Sequence, residues 1–202
     1  MRESALSWVR QPTERLLTAE PAIPKAVNVF RLEEPADAPQ VRDLLEASFP
    51  GFGEADLVEN LRRDGDMVLS LVAEDDGVVV GHVGFYRLTV EGGDGPFRAV
   101  ALAPLAVYPE YQQQGVATRL IRDGHACLAA IGETLSVVVG EPDYYQRFGY
   151  SNRRVAQFES DYQSPYLLAL SFGAAPWEGR LIYPRAFALL AEDAAIQADD
   201  RV

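Results

Sequence analysis

The apolar residues near the start of this chain recur at helical spacing, after a short strand predicted at residues 27–30. Two amphipathic helices follow, because apolar side chains return every three or four residues. The first begins at Asp37 and is stopped by Pro50 and Gly51, and the second covers residues 54–63. The residues predicted to face the core are Val41, Leu44, Leu45 and Phe49 in the first helix, and Leu57, Val58 and Leu61 in the second.

Three strands are predicted next, at residues 68–73, 78–90 and 97–107. Asp75, Asp76 and Gly77 form a tight hairpin turn between the first two, because Asp and Gly tolerate the positive φ that such turns need. A glycine-rich loop at 92–96 separates the second strand from the third. These strands therefore form an antiparallel meander behind the two helices.

The pattern changes after residue 107. A long helix is predicted at 115–131, with one apolar row through Val116, Leu120, Cys127 and Ile131, and Gly132 as its left-handed capping residue. Residues 135–139 are continuously apolar, which indicates a strand buried on both faces and a parallel crossover. The remaining predicted elements are a short helix at 142–148, strands at 155–158, 166–172 and 180–183, and a terminal helix at 186–195.

Composition narrows the function classes. The net charge of −12 argues against a nucleic-acid partner, which needs a basic surface. Cys127 is the single cysteine, and His82 and His125 lie far apart, so neither a disulfide nor a metal site is expected. The apolar runs are too short to span a bilayer, and residues 1–20 do not resemble a signal peptide. We therefore expect a cytoplasmic protein with no metal and no membrane partner.

The junction between the third strand and the long helix is the main candidate for chemistry. Small or flexible residues between a strand and a helix leave backbone N–H groups free at the helix N-terminus, where they bind phosphates. Gly115 lets the backbone come close to such a ligand. The lysine of a P-loop and the glycines of a dinucleotide fingerprint are both missing here.

The junction reads Gln112-x-x-Gly115-x-Ala117 and follows a strand that ends in Leu105-Ala106-Val107. It resembles the pyrophosphate motif of the GNAT superfamily of acetyltransferases, and the segment from Tyr144 to Tyr150 resembles that family's Tyr-x-x-x-Gly-Phe/Tyr segment. The resemblance looks closest to a bacterial subgroup of predicted N-acetyltransferases. It implies an α+β (α/β sandwich) fold, with a mixed, mostly antiparallel sheet that is flanked by helices and splayed between its fourth and fifth strands.

The resemblance covers about residues 27–172. We therefore expect an N-terminal extension at 1–26, a GNAT domain at 27–172 and a C-terminal extension at 173–202 packed on the domain. The aromatic residues Trp177, Tyr183 and Phe187 leave three roles open for the last segment. It closes the acceptor site, completes the sheet or forms the interface of a homodimer.

In this family acetyl-CoA is the co-substrate and lies between the splayed strands. The resemblance implies that the backbone of the third-strand residues pairs with pantetheine and that backbone N–H groups of the following loop and helix bind the pyrophosphate. The implied cofactor-binding residues are Leu105, Ala106, Val107, Gln112, Gln113, Gln114, Gly115, Val116 and Ala117. Many relatives have glycine at the positions of Gln113 and Ala117, but neither change removes an N–H group.

The resemblance also implies a direct transfer of the acetyl group to a primary amine in a ternary complex. Tyr145 matches the family's general acid, and the adjacent Tyr144 is the alternative. Glu54 is the first choice for the general base, ahead of Asp56 and Glu59 on the same helix, although a solvated helix face explains all three as well. His82 faces the cleft or is a hydrogen-bonded residue of the sheet.

The acceptor is a small-molecule amine or a peptide, and the sequence leaves the choice open. A different class of function is also open, in which the domain binds acyl-CoA without catalysis as a sensor or partner-binding module. The presence of Tyr145 favours the enzyme.

Overall fold

The fold is taken from a computed structural model that describes residues 27–49, 53–93 and 95–190. The expected N-terminal extension, the stop at Pro50 and Gly51, and residues 191–202 lie outside these ranges. No helix within them is long and apolar enough to cross a membrane.

The described residues form one sheet, whose main path runs in the order β1-β2-β3-β4-β5-β7. Strand β8 pairs with β3 and with β6 beside this path. The strands are β1 (Val29–Leu32), β2 (Met67–Asp75), β3 (Val78–Glu91), β4 (Phe97–Val107), β5 (Leu135–Val139), β6 (Gln157–Glu159), β7 (Leu167–Ser171) and β8 (Glu178–Ile182). The pairing is antiparallel except between β4 and β5 and between β6 and β8. The predicted mixed, mostly antiparallel sheet is confirmed.

The hairpin between β2 and β3 has the predicted chemistry. Asp76 and Gly77 have φ of 48° and 80°, the left-handed values that a two-residue turn between twisted strands requires. Further along, Ala103 and Pro104 interrupt the register between β3 and β4: Val83 pairs with Leu105, whereas Phe85 pairs with Leu102. This irregularity turns the last part of β4 away from its neighbour β5.

The helices lie on both faces of the sheet. They are α1 (Ala38–Ser48), α2 (Gly53–Arg63), α3 (Val116–Ala130), α4 (Pro142–Tyr145) and α5 (Asn152–Val155), and residues 185–190 form a further helical segment. On one face α3 packs against β2 and β3 through a buried row that includes Leu120, Ile121 and Leu128. On the other face α1 and α2 bury the apolar residues predicted for them around Tyr86.

Two details of the prediction are wrong. Ile131 does not continue the buried row of α3: its side chain is 59 % exposed, because the helix has already ended and the chain turns at Gly132 with φ of 86°. The strand predicted at 155–158 is split, since Val155 ends α5 and only residues 157 and 158 lie in β6. Ser151 causes this by capping α5, where its Oγ accepts the Arg154 N–H at 3.2 Å.

Strands β4 and β5 pair over a short distance only. Val100, Ala101 and Leu102 are matched with residues 136–138 of β5, and no further pair continues this ladder among the described residues. Beyond it the two strands separate, as the predicted splay requires. The gap between them opens into the main cleft of the molecule.

Candidate active site

The cleft has a volume of about 520 Å³. Its centre is the gap between β4 and β5, one end reaches the N-terminus of α3, and the other reaches the junction of α1 with α2. The helical segment 185–190 closes that second end through Phe187 and Leu190. A single elongated cleft thus joins parts of the chain that are far apart in sequence.

The end of β4 presents a free edge to this cleft. Tyr108 N–H donates to the Val80 carbonyl at 3.0 Å, and Ala106 lies opposite His82 two residues earlier. Because hydrogen-bonded residues alternate along an antiparallel pair, Leu105 and Val107 direct their backbone groups to the opposite side. These groups face the gap that β5 has left.

The loop after β4 is held by its own side chains. Gln112 donates from Nε2 to the Val107 carbonyl at 2.9 Å, and Tyr111 donates to Asp75 Oδ2 at 2.8 Å. Gln113 and Gly115 then adopt left-handed conformations with φ of 59° and 84°. These two turns bring the loop directly into the first turn of α3.

The first turn of α3 offers N–H groups that can bind an anion. The initial N–H groups of a helix have no acceptor within the helix, so they point out of its N-terminus together with the positive end of the helix dipole. Val116, Ala117 and Thr118 occupy this turn and line the cleft. Except for Gln114, all the residues predicted to bind the cofactor line the cleft. Gln114 instead turns outward and donates to the Glu110 carbonyl at 2.7 Å.

Tyr145 lines the cleft at the end of α4. Its ring is held by edge contacts with Tyr144 and Tyr150, at centroid distances of 5.1 and 5.9 Å. Burial raises the pKa of its phenol above the usual value, so the hydroxyl stays protonated at neutral pH. No protein acceptor binds this hydroxyl in the described part of the chain, which leaves it available to a ligand.

Gly140 makes room for the Tyr145 ring. A Cβ atom at Gly140 would lie 2.2 Å from Cε2 of Tyr145, far inside any allowed contact. The glycine follows the buried strand β5 directly and also lines the cleft. The predicted site residues do not include Gly140. The only signal for it in the sequence is its position between a strand and Pro142.

Tyr144 lines the same cleft but is held differently. The Arg147 guanidinium stacks on its ring at 4.5 Å from the centroid, and Arg147 Nε donates to the Tyr144 carbonyl at 3.2 Å. Both rings of the tyrosine pair therefore reach the cleft, and Tyr145 is the more deeply buried of the two.

Glu54 is the buried carboxylate of the cleft. It stands in the first turn of α2 with 5 % of its surface exposed, and burial raises the pKa of its carboxyl group. Asp56 and Glu59 are largely exposed and both pair with Arg42, at 3.0 and 2.8 Å. Asp56 and Glu59 are therefore acids of a solvated helix face, whereas Glu54 is not, because it is buried.

His82 does not reach the cleft. It is fully buried in β3, where Nε2 lies 2.9 Å from Ser70 Oγ and 3.4 Å from Glu33 Oε2. Glu33 also accepts hydrogen bonds from Ser70 and from Arg62 at the end of α2. Burial opposes ionisation of Glu33, but the bonds from His82 and Ser70 and the charge of Arg62 outweigh it and lower its pKa to about 2. His82 is thus a hydrogen-bonded residue of the sheet.

Several lining residues carry no local signal in the sequence. They come from the end of α1, from α2 and from the last helical segment, and meet only in the folded chain: Ser48, Phe49, Leu57, Phe187 and Leu190. Ser48 Oγ is buried and has no hydrogen-bond partner among the residues that the structure describes. Among the described residues, no group of three or more His, Cys, Asp or Glu side chains is placed to hold a metal ion.

The sequence profile of the acetyltransferase (GNAT) domain matches residues 30–153, which include both helices of one sheet face, the free edge of β4 and α3. The chain belongs to the GNAT acetyltransferase family. The predicted identification as a GNAT-type N-acetyltransferase is therefore confirmed.

Curated relatives of this GNAT protein include two from Escherichia coli strain K12. YhbS, an uncharacterized N-acetyltransferase, is 43 % identical over 123 residues, which are 60 % of this chain and 72 % of YhbS. YjhQ, also an uncharacterized N-acetyltransferase, is 39 % identical over 140 residues, which are 68 % of this chain and 75 % of YjhQ.

Solved structures agree with the fold. The crystal structure of E. coli YhbS in complex with CoA superimposes with a TM-score of 0.73 at 32 % identity, over 85 % of this chain and 96 % of YhbS. A GNAT family acetyltransferase from Brucella melitensis in complex with acetyl-CoA gives 0.67 at 32 % identity, over 79 % and 97 % of the two chains. The predicted GNAT fold is confirmed.

Proposed function

We propose that this protein transfers the acetyl group of acetyl-CoA directly to a primary amine, with both substrates bound at once. The observation that carries the proposal is the single cleft in which a free strand edge and a helix N-terminus lie at one side and a buried carboxylate at the other. The donor half consists of the cleft-lining residues of 102–107 and 111–118. The acceptor half consists of Ser48, Phe49, Glu54, Leu57, Phe187 and Leu190.

The donor half suits acetyl-CoA. The free Leu105 carbonyl and the Val107 N–H match the amide groups of pantetheine, which would add to β4 as a short strand. The N–H groups at the start of α3 suit the pyrophosphate. The structures of YhbS with CoA and of the B. melitensis protein with acetyl-CoA support this choice of ligand.

The acetyl carbonyl would lie beside the Leu105 N–H, next to the pantetheine amide that the Val107 N–H binds. The neutral amine attacks the carbonyl carbon with its lone pair, and the negative charge that develops on the oxygen is stabilised by a backbone N–H. The C–N bond forms, the C–S bond then breaks, and the electron pair leaves with the sulfur. Tyr145 donates its phenolic proton to that sulfur, and the proton lost from the amide nitrogen restores the phenol.

Glu54 would accept the proton that the substrate ammonium must lose before the attack. A carboxylate with a raised pKa is a better base than an exposed one, and it becomes ionised at a pH closer to neutrality. It also provides the negative charge that attracts the ammonium into the acceptor half. Both roles need only the position that the first turn of α2 gives this side chain.

Initial-rate measurements of CoA thiol release test the proposal. With acetyl-CoA and amine both varied, intersecting double-reciprocal lines are expected for a ternary complex. Parallel lines would indicate an acetylated enzyme and overturn direct transfer. Binding of acetyl-CoA without thiol release for any amine of a broad panel would overturn the enzyme and favour a non-catalytic acyl-CoA-binding module.

A further inference from the structure

The acceptor half of the cleft is mostly apolar. Phe49, Leu57, Phe187 and Leu190 belong to one hydrophobic cluster, together with Ala103 and Ala106 of β4. The helical segment 185–190 closes tightly on α2, since a Cβ atom at Gly53 would lie 2.6 Å from Leu190 Cδ1. These side chains form a continuous apolar wall beside the reacting centre.

Only two polar side chains interrupt this wall within the described residues. One is the buried carboxylate of Glu54, and the other is the hydroxyl of Ser48, whose Oγ is buried without a partner. A buried hydroxyl without a partner costs free energy, so a ligand that donates to it is favoured. A carboxylate and a hydroxyl oxygen together provide acceptors for the N–H groups of one ammonium.

The charges of the cleft limit what the rest of the acceptor carries. The other charged residues that line the described cleft are Glu141 and Arg147, which are exposed and lie on the segment after β5, beside Tyr144. A second ammonium on the acceptor would face apolar side chains and lose its hydration without a counterion. A carboxylate next to the amine, as in a free amino acid, would find no cation in the acceptor half and would lie beside Glu54.

We propose that the acceptor is a monoamine with an apolar or aromatic body, whose ammonium is held by Glu54 and Ser48 and whose body packs against Phe49, Leu57, Phe187 and Leu190. The inference rests on the proposed function and names the class of amine for the same site. It disfavours polyamines, aminoglycosides and free amino acids as acceptors.

A panel of amines tests this class through kcat/KM for thiol release. Phenethylamine and pentylamine represent apolar monoamines, and cadaverine adds one ammonium to the pentylamine chain. Pentylamine should exceed cadaverine by about tenfold or more, because the second charge meets the apolar wall. Equal or better turnover of cadaverine, of spermidine or of an aminoglycoside would overturn the proposal.

A second test is a substitution designed to reverse the preference for pentylamine over cadaverine. Leu190→Glu places a second carboxylate in the acceptor half, and it should raise the cadaverine-to-pentylamine ratio of kcat/KM by about tenfold. Leu190→Gln is the matched control, since it has the same size without the charge and should leave that ratio low. An unchanged ratio in Leu190→Glu would mean that the body of the acceptor does not lie against this wall.

These experiments distinguish a wrong class of acceptor from a wrong proposed function. If no amine releases thiol while acetyl-CoA binds, the proposed function is wrong and the class of acceptor is not the cause. If thiol is released only with polycations or amino acids, the proposed function holds and the monoamine class is wrong. The KM for acetyl-CoA should be the same in Leu190→Glu and Leu190→Gln, because Leu190 belongs to the acceptor half alone.

Discussion

The two halves of the cleft differ in how the chain builds them. The donor half comes from one nearly continuous segment, residues 102–118, and it offers mainly backbone groups. The acceptor half comes from three distant segments and offers side chains: Ser48 and Phe49, then Glu54 and Leu57, then Phe187 and Leu190. Ligand binding by backbone groups depends little on which side chains the segment carries. Ligand binding by side chains depends on the identity of each of them.

The largest effect should come from the boundary between the halves. Tyr145→Phe removes the hydroxyl that we propose protonates the leaving thiolate, and kcat should fall by about a hundredfold or more. The dissociation constant for acetyl-CoA should stay nearly the same, because the ring still packs against Tyr150. Steady-state kinetics and calorimetric titration measure the two quantities.

Tyr144→Phe is the matched control for this experiment. Its ring lines the same cleft but is stacked on Arg147, and turnover should change little. If Tyr144→Phe lowers kcat while Tyr145→Phe does not, the adjacent tyrosine is the acid and the assignment must be exchanged.

Glu54→Gln tests how much the acceptor half contributes to turnover of the amine. Loss of the proposed base and of its negative charge should lower kcat/KM for the amine by about a hundredfold, with acetyl-CoA affinity unchanged. Asp56→Asn, on the exposed side of the same helix, is the control and should retain activity.

The same variant has an effect on stability whose sign follows from the pKa. Burial raises the pKa of Glu54 in the folded state, so its protonated form favours folding and this contribution is lost as the pH rises through the folded pKa. Glu54→Gln should therefore melt higher than the wild type at pH 8, by roughly 2–4 °C. The difference should shrink as the pH is lowered towards the unfolded pKa. A Glu54→Gln protein that melts lower than the wild type at pH 8 would contradict a desolvated carboxylate.

The donor half should respond to backbone changes. Gly115→Ala forces a side chain into a left-handed conformation with open space around it, which costs about 1 kcal/mol. Because the loop then shifts, acetyl-CoA should bind about tenfold more weakly. Gly132→Ala is a close control at the other end of α3, with nearly the same φ and equally open space. It should lose stability without losing affinity.

The smallest effect should come from a side chain of the same loop. Gln113→Ala keeps the N–H group and the left-handed constraint, so acetyl-CoA affinity should change by less than about twofold. A large loss would show that the Gln113 side chain contacts the ligand. Binding of acetyl-CoA in the donor half would then depend on side chains as well as on the backbone groups of the strand edge and the helix start.

The two halves also differ in how much of them the sequence could predict, because one is built from a single segment and the other from distant segments. The hairpin at Asp76 and Gly77, the strands other than the one predicted at 155–158, and the start of α3 follow from local patterns of apolar residues, glycines and turn residues, and they match the structure closely. The splay and the donor residues came from a motif contained in one segment. Of the predicted donor residues Gln114 does not line the cleft, because its side chain donates to the Glu110 carbonyl in the same loop, and the role of its N–H group stays a prediction.

The acceptor half has no such local pattern. Glu54 looks like Asp56 and Glu59 in the sequence, and only the packing of α2 decides that one is buried and two are paired with Arg42. Phe187 and Leu190 reach the cleft because β8 pairs with β3 and carries the chain back across the sheet. Such contacts depend on the order of strands, which periodicity along the chain does not contain.

The polar cluster around Glu33 has a consequence for the other end of α2. Arg62 in its last turn is bound to Glu33, which is fixed to β2 and β3 by Ser70 and His82, while Glu54 stands in the first turn of the same helix. The pair of Arg62 with Glu33 therefore anchors the last turn of α2 to the sheet, and the first turn of this helix places Glu54 in the cleft. The buried polar cluster of the sheet and the candidate base thus lie at opposite ends of one helix, so a change at Glu33 is a change in the support of Glu54.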